Sequence, residues 1–230
     1  MLKKIYGALR RLLACIIPEY TVTPLLCTLA FQVSVYSGTK LFMDSAYHYN
    51  FETAFDLATP FLPWTVLIYT GAFVYWYVSY ALVLRGSKEN AFRFLWAHML
   101  SLVVFFLCFV FVPTTNTRPE VTGHALWDWG MRLIYASDTP TNLFPSLHCQ
   151  FSWLCCRALG KTKTVPKWFR IFAYVFTILI FISTLTTKQH VIADVFSGWL
   201  LAEVAFDLCR SKRVMQPFYR IFNREPAKKT

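Results

Sequence analysis

Charge is scarce in this chain. Asp, Glu, Lys and Arg make up 15% of the 230 residues against 56% hydrophobic ones, and acid is the scarcer sign, with 12 Asp and Glu beside 23 Lys and Arg. So little charge argues against an ordinary soluble domain. Metal and disulfide patterns are missing too. Of the seven cysteines, Cys27, Cys108, Cys149, Cys155 and Cys156 lie in or at the edge of apolar runs, and Cys15 and Cys209 lie near basic flanks. No CxxC pair or Cys/His metal spacing occurs, so neither a disulfide framework nor a structural zinc site is indicated. The opening MLKKIYGALRRLLACIIPEY has a basic front and a short apolar stretch but no small-residue cleavage signal. It reads as a retained, amphipathic segment along a membrane interface. With no internal repeat, low-complexity segment or soluble domain, the expectation is one domain over 1–230, with a basic interfacial segment at 1–20 and a basic cytoplasmic tail at 210–230.

What is abundant is apolar surface: mean hydropathy is +0.43, and 22 Phe stand beside 12 Tyr and 8 Trp. Long apolar runs predict an all-α, polytopic helical bundle with six transmembrane helices at 22–43, 62–84, 93–113, 146–160, 168–187 and 190–209, the fourth of them short. The segment HYNFETAFDLATPFLP, with Pro60 and Pro63, reads as an interfacial connection between the first two. Six spans place both termini on one side. That side then holds Lys3, Lys4, Arg10, Arg11, Arg85, Lys88, Arg93, Arg157, Lys161, Lys163, Lys167, Arg170, Arg210, Lys212, Arg213, Arg220, Arg224, Lys228 and Lys229, and the other holds Lys40, Arg118, Arg132 and Lys188. Such asymmetry predicts cytoplasmic termini and outward-facing loops at 114–145 and 184–190, in the cell membrane. The formal net charge of +11 is then read as contact with anionic headgroups and not as nucleic-acid binding. Trp64, Tyr75, Trp76, Tyr77, Trp127, Trp129 and Trp168 read as interfacial anchors.

Chemistry-bearing residues collect in the two outer loops. His190 is followed four residues later by Asp194, a spacing that puts both side chains on one helix face and lets the carboxylate orient the imidazole. A self-satisfied pair at a helix end is the bland alternative, but ionisable groups inside a span are by default functional. In NLFPSLHC, Pro145 introduces a helix beginning with Ser146 and carrying His148 in its first turn. Free N-terminal amides and a hydroxyl suit a phosphate, and His148 suits proton delivery to a leaving oxygen. The alternative there is a helix cap with an interfacial histidine. PTTNTRPEV supplies Arg118, and Lys188 lies two residues before His190. Both are cations that a phosphoryl group needs, whereas Arg132 and Lys40 read as ordinary loop salt bridges. His98 reads as a hydrogen-bonded packing residue, His48 and His124 as loop or interface histidines, and Glu203 as a buried carboxylate in need of a polar partner.

From about residue 111 to residue 198 these pieces resemble the type 2 phosphatidic acid phosphatase superfamily. Of the first motif, a Lys six residues before an Arg-Pro pair, Arg118 and Pro119 match while Phe111 occupies the Lys position. The second, Pro-Ser-x-His, is whole as Pro145, Ser146, Leu147 and His148. Of the third, Ser183, His190 and Asp194 match while Thr184 occupies an Arg position. The stretch STLTTKQHVIADVFSG also resembles the branch containing sphingomyelin and inositol phosphorylceramide synthases. The resemblance implies a lipid phosphatase hydrolysing a lipid phosphate or diphosphate. His190 is then the nucleophile, Asp194 its orienting partner, His148 the proton donor, and Arg118, Lys188, Ser146 and Ser183 the phosphate-binding set, with no metal or cofactor in the scheme. A phosphotransferase moving a headgroup to a lipid alcohol, and a catalytically weak lipid-binding or transport relative, are the two alternatives. Partners are the lipid substrate and membrane lipids.

Overall fold

A computed structural model describes residues 2–43 and 45–223, and most of them are helical. The last residues of the basic tail, 224–230, with Arg224, Lys228 and Lys229, lie outside the described residues. Among the described residues ten α-helices follow one another: α1 (Leu2–Ala14), α2 (Glu19–Met43), α3 (Ala54–Ala58), α4 (Val66–Leu84), α5 (Lys88–Phe111), α6 (Leu126–Ser137), α7 (Leu147–Lys161), α8 (Lys167–Thr186), α9 (Ile192–Leu208) and α10 (Lys212–Phe222). The only strand pairing among the described residues is a two-residue parallel bridge of β1 (Tyr49–Asn50) with β2 (Thr114–Thr115). It ties the loop after α2 to the end of α5.

Local chemistry sets several helix starts. Ser87 caps α5 by accepting from Asn90 N, Ser146 caps α7 by accepting from Cys149 N, and Thr53 with Asp56 forms a reciprocal capping box on α3. Each satisfies amide donors that a helix start leaves unpaired. Phe92, Phe94, Leu102, Phe105 and Leu154 are among the fully buried side chains that form the core.

The expectation of six spans is corrected. Among the described residues, three helices have both the length and the apolarity to cross a membrane: Pro63–Leu84, which includes the short turn leading into α4, Lys88–Phe111 and Lys167–Thr186. By length and composition these make a multi-pass membrane protein. Their outer faces are apolar: Val74 and Tyr77 on α4, Leu107 on α5, and Val175 and Ile178 on α8 are all exposed.

The other three runs differ for identifiable reasons. Helix α2 has 25 residues, but Thr21, Thr23, Thr28, Gln32, Ser34, Ser37 and Thr39 dilute its apolar surface. Helix α7 has 15 residues, too few to span a hydrocarbon core at 1.5 Å per residue, and α9 has 17, at the lower limit for a span. Helix α7 is instead the centre of the bundle, packed by α4, α5, α8 and α9. Protein surrounds it where lipid was expected, so it can carry polar groups: Gln150 Nε2 donates to Ser101 Oγ, and Ser152 Oγ accepts from Trp76 Nε1 at 2.8 Å.

Trp76 and Tyr75 are accordingly core residues and not anchors, whereas Trp64, Tyr77, Trp129 and Trp168 are exposed. His98 is a packing residue as expected, with Nε2 2.9 Å from Gln32 Oε1 and its ring against Phe151. Glu203 finds its polar partner in Arg157, which also reaches Asp207.

The helix ends sort the bundle into two poles. The start of α4 and the ends of α5 and α8 meet the starts of α7 and α9, through Leu62 N donating to Thr186 O, Asn116 Nδ2 to Lys188 O and Ser146 N to Asp194 O. The opposite ends carry Arg85, Lys88, Arg93, Lys161, Lys167 and Arg210, where Arg93 donates to Phe206 O and α10 packs on α5 through Trp96 Nε1 and Val214 O.

Candidate active site

The first pole holds the residues singled out by their spacing. After α8 the chain reverses through Thr187, Lys188 and Gln189. Lys188 takes a left-handed φ of 52°, a conformation that costs a side-chain-bearing residue roughly 1–2 kcal/mol. The turn is held open by main-chain bonds, Gln189 N and His190 N both donating to Thr184 O. It is also clamped from outside. Lys188 Nζ donates to Asp56 O and Thr59 O, both at 2.6 Å, and Asp56 Oδ1 accepts from Ile192 N at 2.7 Å. Helix α3 thereby grips both sides of His190.

His190 is 8% exposed and Asp194 1%. Nδ1 of His190 lies 3.2 Å from Asp194 Oδ2, which also accepts from Val191 N at 3.1 Å. A carboxylate accepts only, so the proton sits on Nδ1 and the lone pair on Nε2. Nε2 makes no hydrogen bond among the described residues.

His148 faces this arrangement with its ring centroid 6.2 Å from that of His190. It is held by rings: Tyr69 is stacked at 4.3 Å, Trp76 tilted at 5.0 Å and Phe73 edge-on at 5.8 Å. Its Nε2 is buried without a partner. Burial, and then the neighbouring His190, push the His148 pKa below its usual range. A cleft of about 480 Å³ opens beside His148, lined by Tyr36, Lys40, Tyr69, Phe73, Trp76 and Asp138 among others.

The two histidines keep their spacing because α7 and α9 touch. Ser146 N donates to Asp194 O at 3.0 Å, and Gly198 lies so close that a Cβ there would overlap Ser146 O and sit 3.2 Å from Gln150 N. Glycine is required by that approach.

The expected phosphate-binding set is only partly assembled. Arg118 is present: Nη2 donates to Gln189 Oε1 at 2.8 Å, Nη1 to Asp138 O, the guanidinium lies over the Tyr135 ring at 4.7 Å, and Nε is buried and unpartnered. Burial lowers its pKa below the ordinary guanidinium value, opposed chiefly by Asp138, and it stays charged. Ser146 is fully buried at the start of α7, its hydroxyl oxygen committed to Cys149 N. Two members are placed otherwise. The Lys188 ammonium is spent on the α3 carbonyls, and the Ser183 hydroxyl turns back onto Ile180 O of its own helix. Among the described residues no group of three or more His, Cys, Asp and Glu is gathered as a metal would need.

Several residues here carried no signal in the sequence. Tyr69, Phe73 and Trp76 reach His148 from more than 70 residues away, Asp56 reaches Ile192 across the chain, and Asp138 joins Lys40 and Tyr36 to this pole. Only Gln189 lies inside a motif, at a position without a motif identity. Buried polar atoms without partners cluster here: His148 Nε2, Asp194 Oδ1, Arg118 Nε, Gln189 Nε2 and Asn116 Oδ1. Native interiors rarely leave such groups bare, and a polar ligand is one way to satisfy those at this pole.

One of three comparisons with known proteins gives a match. No individual curated protein and no solved structure matches significantly. The sequence profile of the PAP2 superfamily matches residues 40–208, which include His148, His190 and Asp194, and by that match over well more than half its length the chain belongs to the PAP2 superfamily.

Proposed function

We propose that the protein is a membrane phosphatase that hydrolyses a lipid phosphate or diphosphate through a phosphohistidine on His190. Superfamily membership supports a lipid-phosphate-handling role. The observation that carries the finer reading is the pair of imidazoles: one with Nδ1 held by Asp194 and Nε2 free, the other 6.2 Å away with a buried, unpartnered Nε2.

In the first step Nε2 of His190 attacks phosphorus, forming the N–P bond as the P–O bond to the lipid breaks. Asp194 stabilises the positive charge gained by the ring, and His148 gives its proton to the departing oxygen. Burial disfavours the imidazolium of His148 in the empty site, and a phosphate anion beside both rings acts in the opposite direction. Arg118 Nε faces charge developing on a non-bridging oxygen. In the second step His148 takes a proton from water, whose oxygen attacks phosphorus, and the N–P bond breaks to release inorganic phosphate and free His190.

The poles support an orientation. The cations at the site pole, Lys40, Arg118, Arg132 and Lys188, all donate to protein oxygens, while the many cations of the other pole suit the cytoplasmic leaflet. The site then opens outward, and a cysteine near Arg118 reacts with an impermeant thiol reagent applied to intact cells.

One observation favours the transferase reading as a second. The cleft of about 480 Å³ beside His148 has room for a lipid alcohol, and the stretch 183–198 resembles headgroup-transferring synthases. Product analysis separates the readings. Purified protein is given phosphatidic acid, phosphatidylglycerol phosphate or isoprenyl diphosphates, with and without ceramide or diacylglycerol, beside His148→Ala and His190→Ala. Free phosphate that requires both histidines is the expected result. Histidine-dependent transfer to the acceptor with little free phosphate replaces it with the synthase, and binding without either product leaves a lipid-binding relative.

A further inference from the structure

The site pole has almost no free positive charge. Lys40 is spent on Asp138, Arg132 on Val121 O and Gly123 O, and Lys188 on two carbonyls of the α3 region. The two motif cations absent from the sequence are not replaced in place: Phe111 is 71% exposed at the end of α5, and the Thr184 hydroxyl donates to Phe181 O. The main-chain amides of the turn before His190 are also occupied, since those of Gln189 and His190 share Thr184 O.

What remains next to Arg118 is the side chain of Gln189, 1% exposed. A guanidinium donates only, so its bond from Nη2 identifies the Gln189 atom it meets as the oxygen and leaves Nε2 as the other end of the amide. That NH2 group is buried with no partner among the described residues, as is Arg118 Nε. Two neighbouring side chains, linked to each other, therefore each keep a donor without an acceptor, one residue along the chain from the nucleophilic imidazole. An anionic oxygen is the kind of acceptor that either donor lacks.

Building on the phosphoryl-transfer reading, we propose that Gln189 is a phosphoryl-binding residue of this site, its side-chain amide donating with Arg118 Nε to non-bridging oxygens of the transferring group. Gln189 thus supplies by a neutral donor part of what the missing cations would supply by charge. Its Oε1 holds Arg118 in place while its Nε2 binds.

Orthovanadate, an inorganic analogue of the transferring phosphoryl group, is the probe. Gln189→Glu keeps an oxygen for Arg118 and removes the donor, whereas Gln189→Ala removes both. The expected result is that both variants weaken vanadate inhibition and lower kcat/KM at least tenfold, with thermal midpoints near that of the wild type. A Gln189→Glu protein with wild-type vanadate inhibition and kcat/KM, beside a defective Gln189→Ala, shows that Gln189 only positions Arg118 and overturns the proposal. If Gln189→Glu does not fold, 15N-glutamine-labelled wild-type protein decides: the Gln189 side-chain amide resonances shift on titration with vanadate, and unchanged resonances at saturating inhibition overturn it. Wild-type protein that neither binds vanadate nor turns over lipid phosphate overturns the phosphoryl-transfer reading and this proposal together, which separates that failure from one confined to Gln189.

Discussion

The two histidines of the pole lie 6.2 Å apart and are held by opposite means. His190 is wired by hydrogen bonds from its own neighbourhood, to Asp194 four residues on and through a turn closed on Thr184. His148 is wedged among Tyr69, Phe73 and Trp76 of a distant helix and has no hydrogen bond to its Nε2. Hydrogen bonds fix which nitrogen carries the proton and so suit a nucleophile. Aromatic walls fix position without committing Nε2 to a protein partner, and so suit an acid that must later act as a base.

That division makes its strongest prediction about removal of each ring. His190→Ala abolishes the phosphoenzyme and lowers turnover at least about 10⁴-fold, whereas His148→Ala loses about 10²- to 10⁴-fold, the usual worth of a positioned acid or base. An ester with an acidic phenol as leaving group needs no proton, so with it His148→Ala regains the rate of phosphoenzyme formation and His190→Ala does not. Rapid-quench trapping of labelled enzyme reads both. Equal rescue of the two variants breaks the assignment of roles.

The spacing between the rings depends on Gly198 more than on any residue touching substrate. Gly198→Ala drives a methyl group into Ser146 O, so α7 and α9 must separate, at a cost of about 1–3 kcal/mol for overpacking. A lower thermal midpoint is expected together with a lower kcat, since the shift moves His148 relative to His190. An unchanged midpoint shows that the two helices have slack where the geometry leaves none.

Lys188 sharpens the same comparison on the His190 side. Its ammonium bridges two carbonyls of the α3 region instead of meeting phosphate. Lys188→Met is therefore expected to lose about 1–3 kcal/mol of stability, the worth of hydrogen bonds to a charged group, in urea titrations monitored by tryptophan fluorescence. Its vanadate inhibition should change less than threefold. A large rise in the inhibition constant with stability intact returns Lys188 to the phosphate.

The locally wired half of the site was legible in the sequence and the packed half was not. His190 and Asp194 declare themselves by a four-residue spacing, and Ser146 by its place after a proline, because helix geometry relates neighbours in sequence. Nothing in the apolar run of α4 distinguishes Trp76, bonded to Ser152, from Tyr77, exposed on the outer face. The same blindness explains the span count. An apolar run tells how little water a helix meets, but α7 escapes water through α4, α5, α8 and α9 and not through lipid. The basic asymmetry between 85–93 and 113–118 survives the correction because it marks ends of helices, whichever of them cross.

The smallest expected effect tests the wall on the His148 side. Asp138 accepts from Tyr36 Oη at 2.7 Å and from Lys40, joining α2 to the end of α6 beside the cleft. Burial alone would raise its carboxyl, but the bonds from Lys40 and Tyr36 and the charges of Lys40 and Arg118 outweigh it and hold the pKa below the ordinary 3.8. The sign follows from linkage. A carboxylate depressed in the folded protein contributes stability that is complete above its unfolded pKa and is lost as pH falls through the folded one. The wild-type thermal midpoint should therefore fall more steeply than that of Asp138→Asn below about pH 4, while the two curves run parallel between pH 5 and pH 8. Curves parallel throughout would mean that the Lys40 and Tyr36 contacts do not favour the charged form. The His148 wall would then owe its position to ring packing alone, and the contrast with the hydrogen-bonded His190 would extend to the whole of each half.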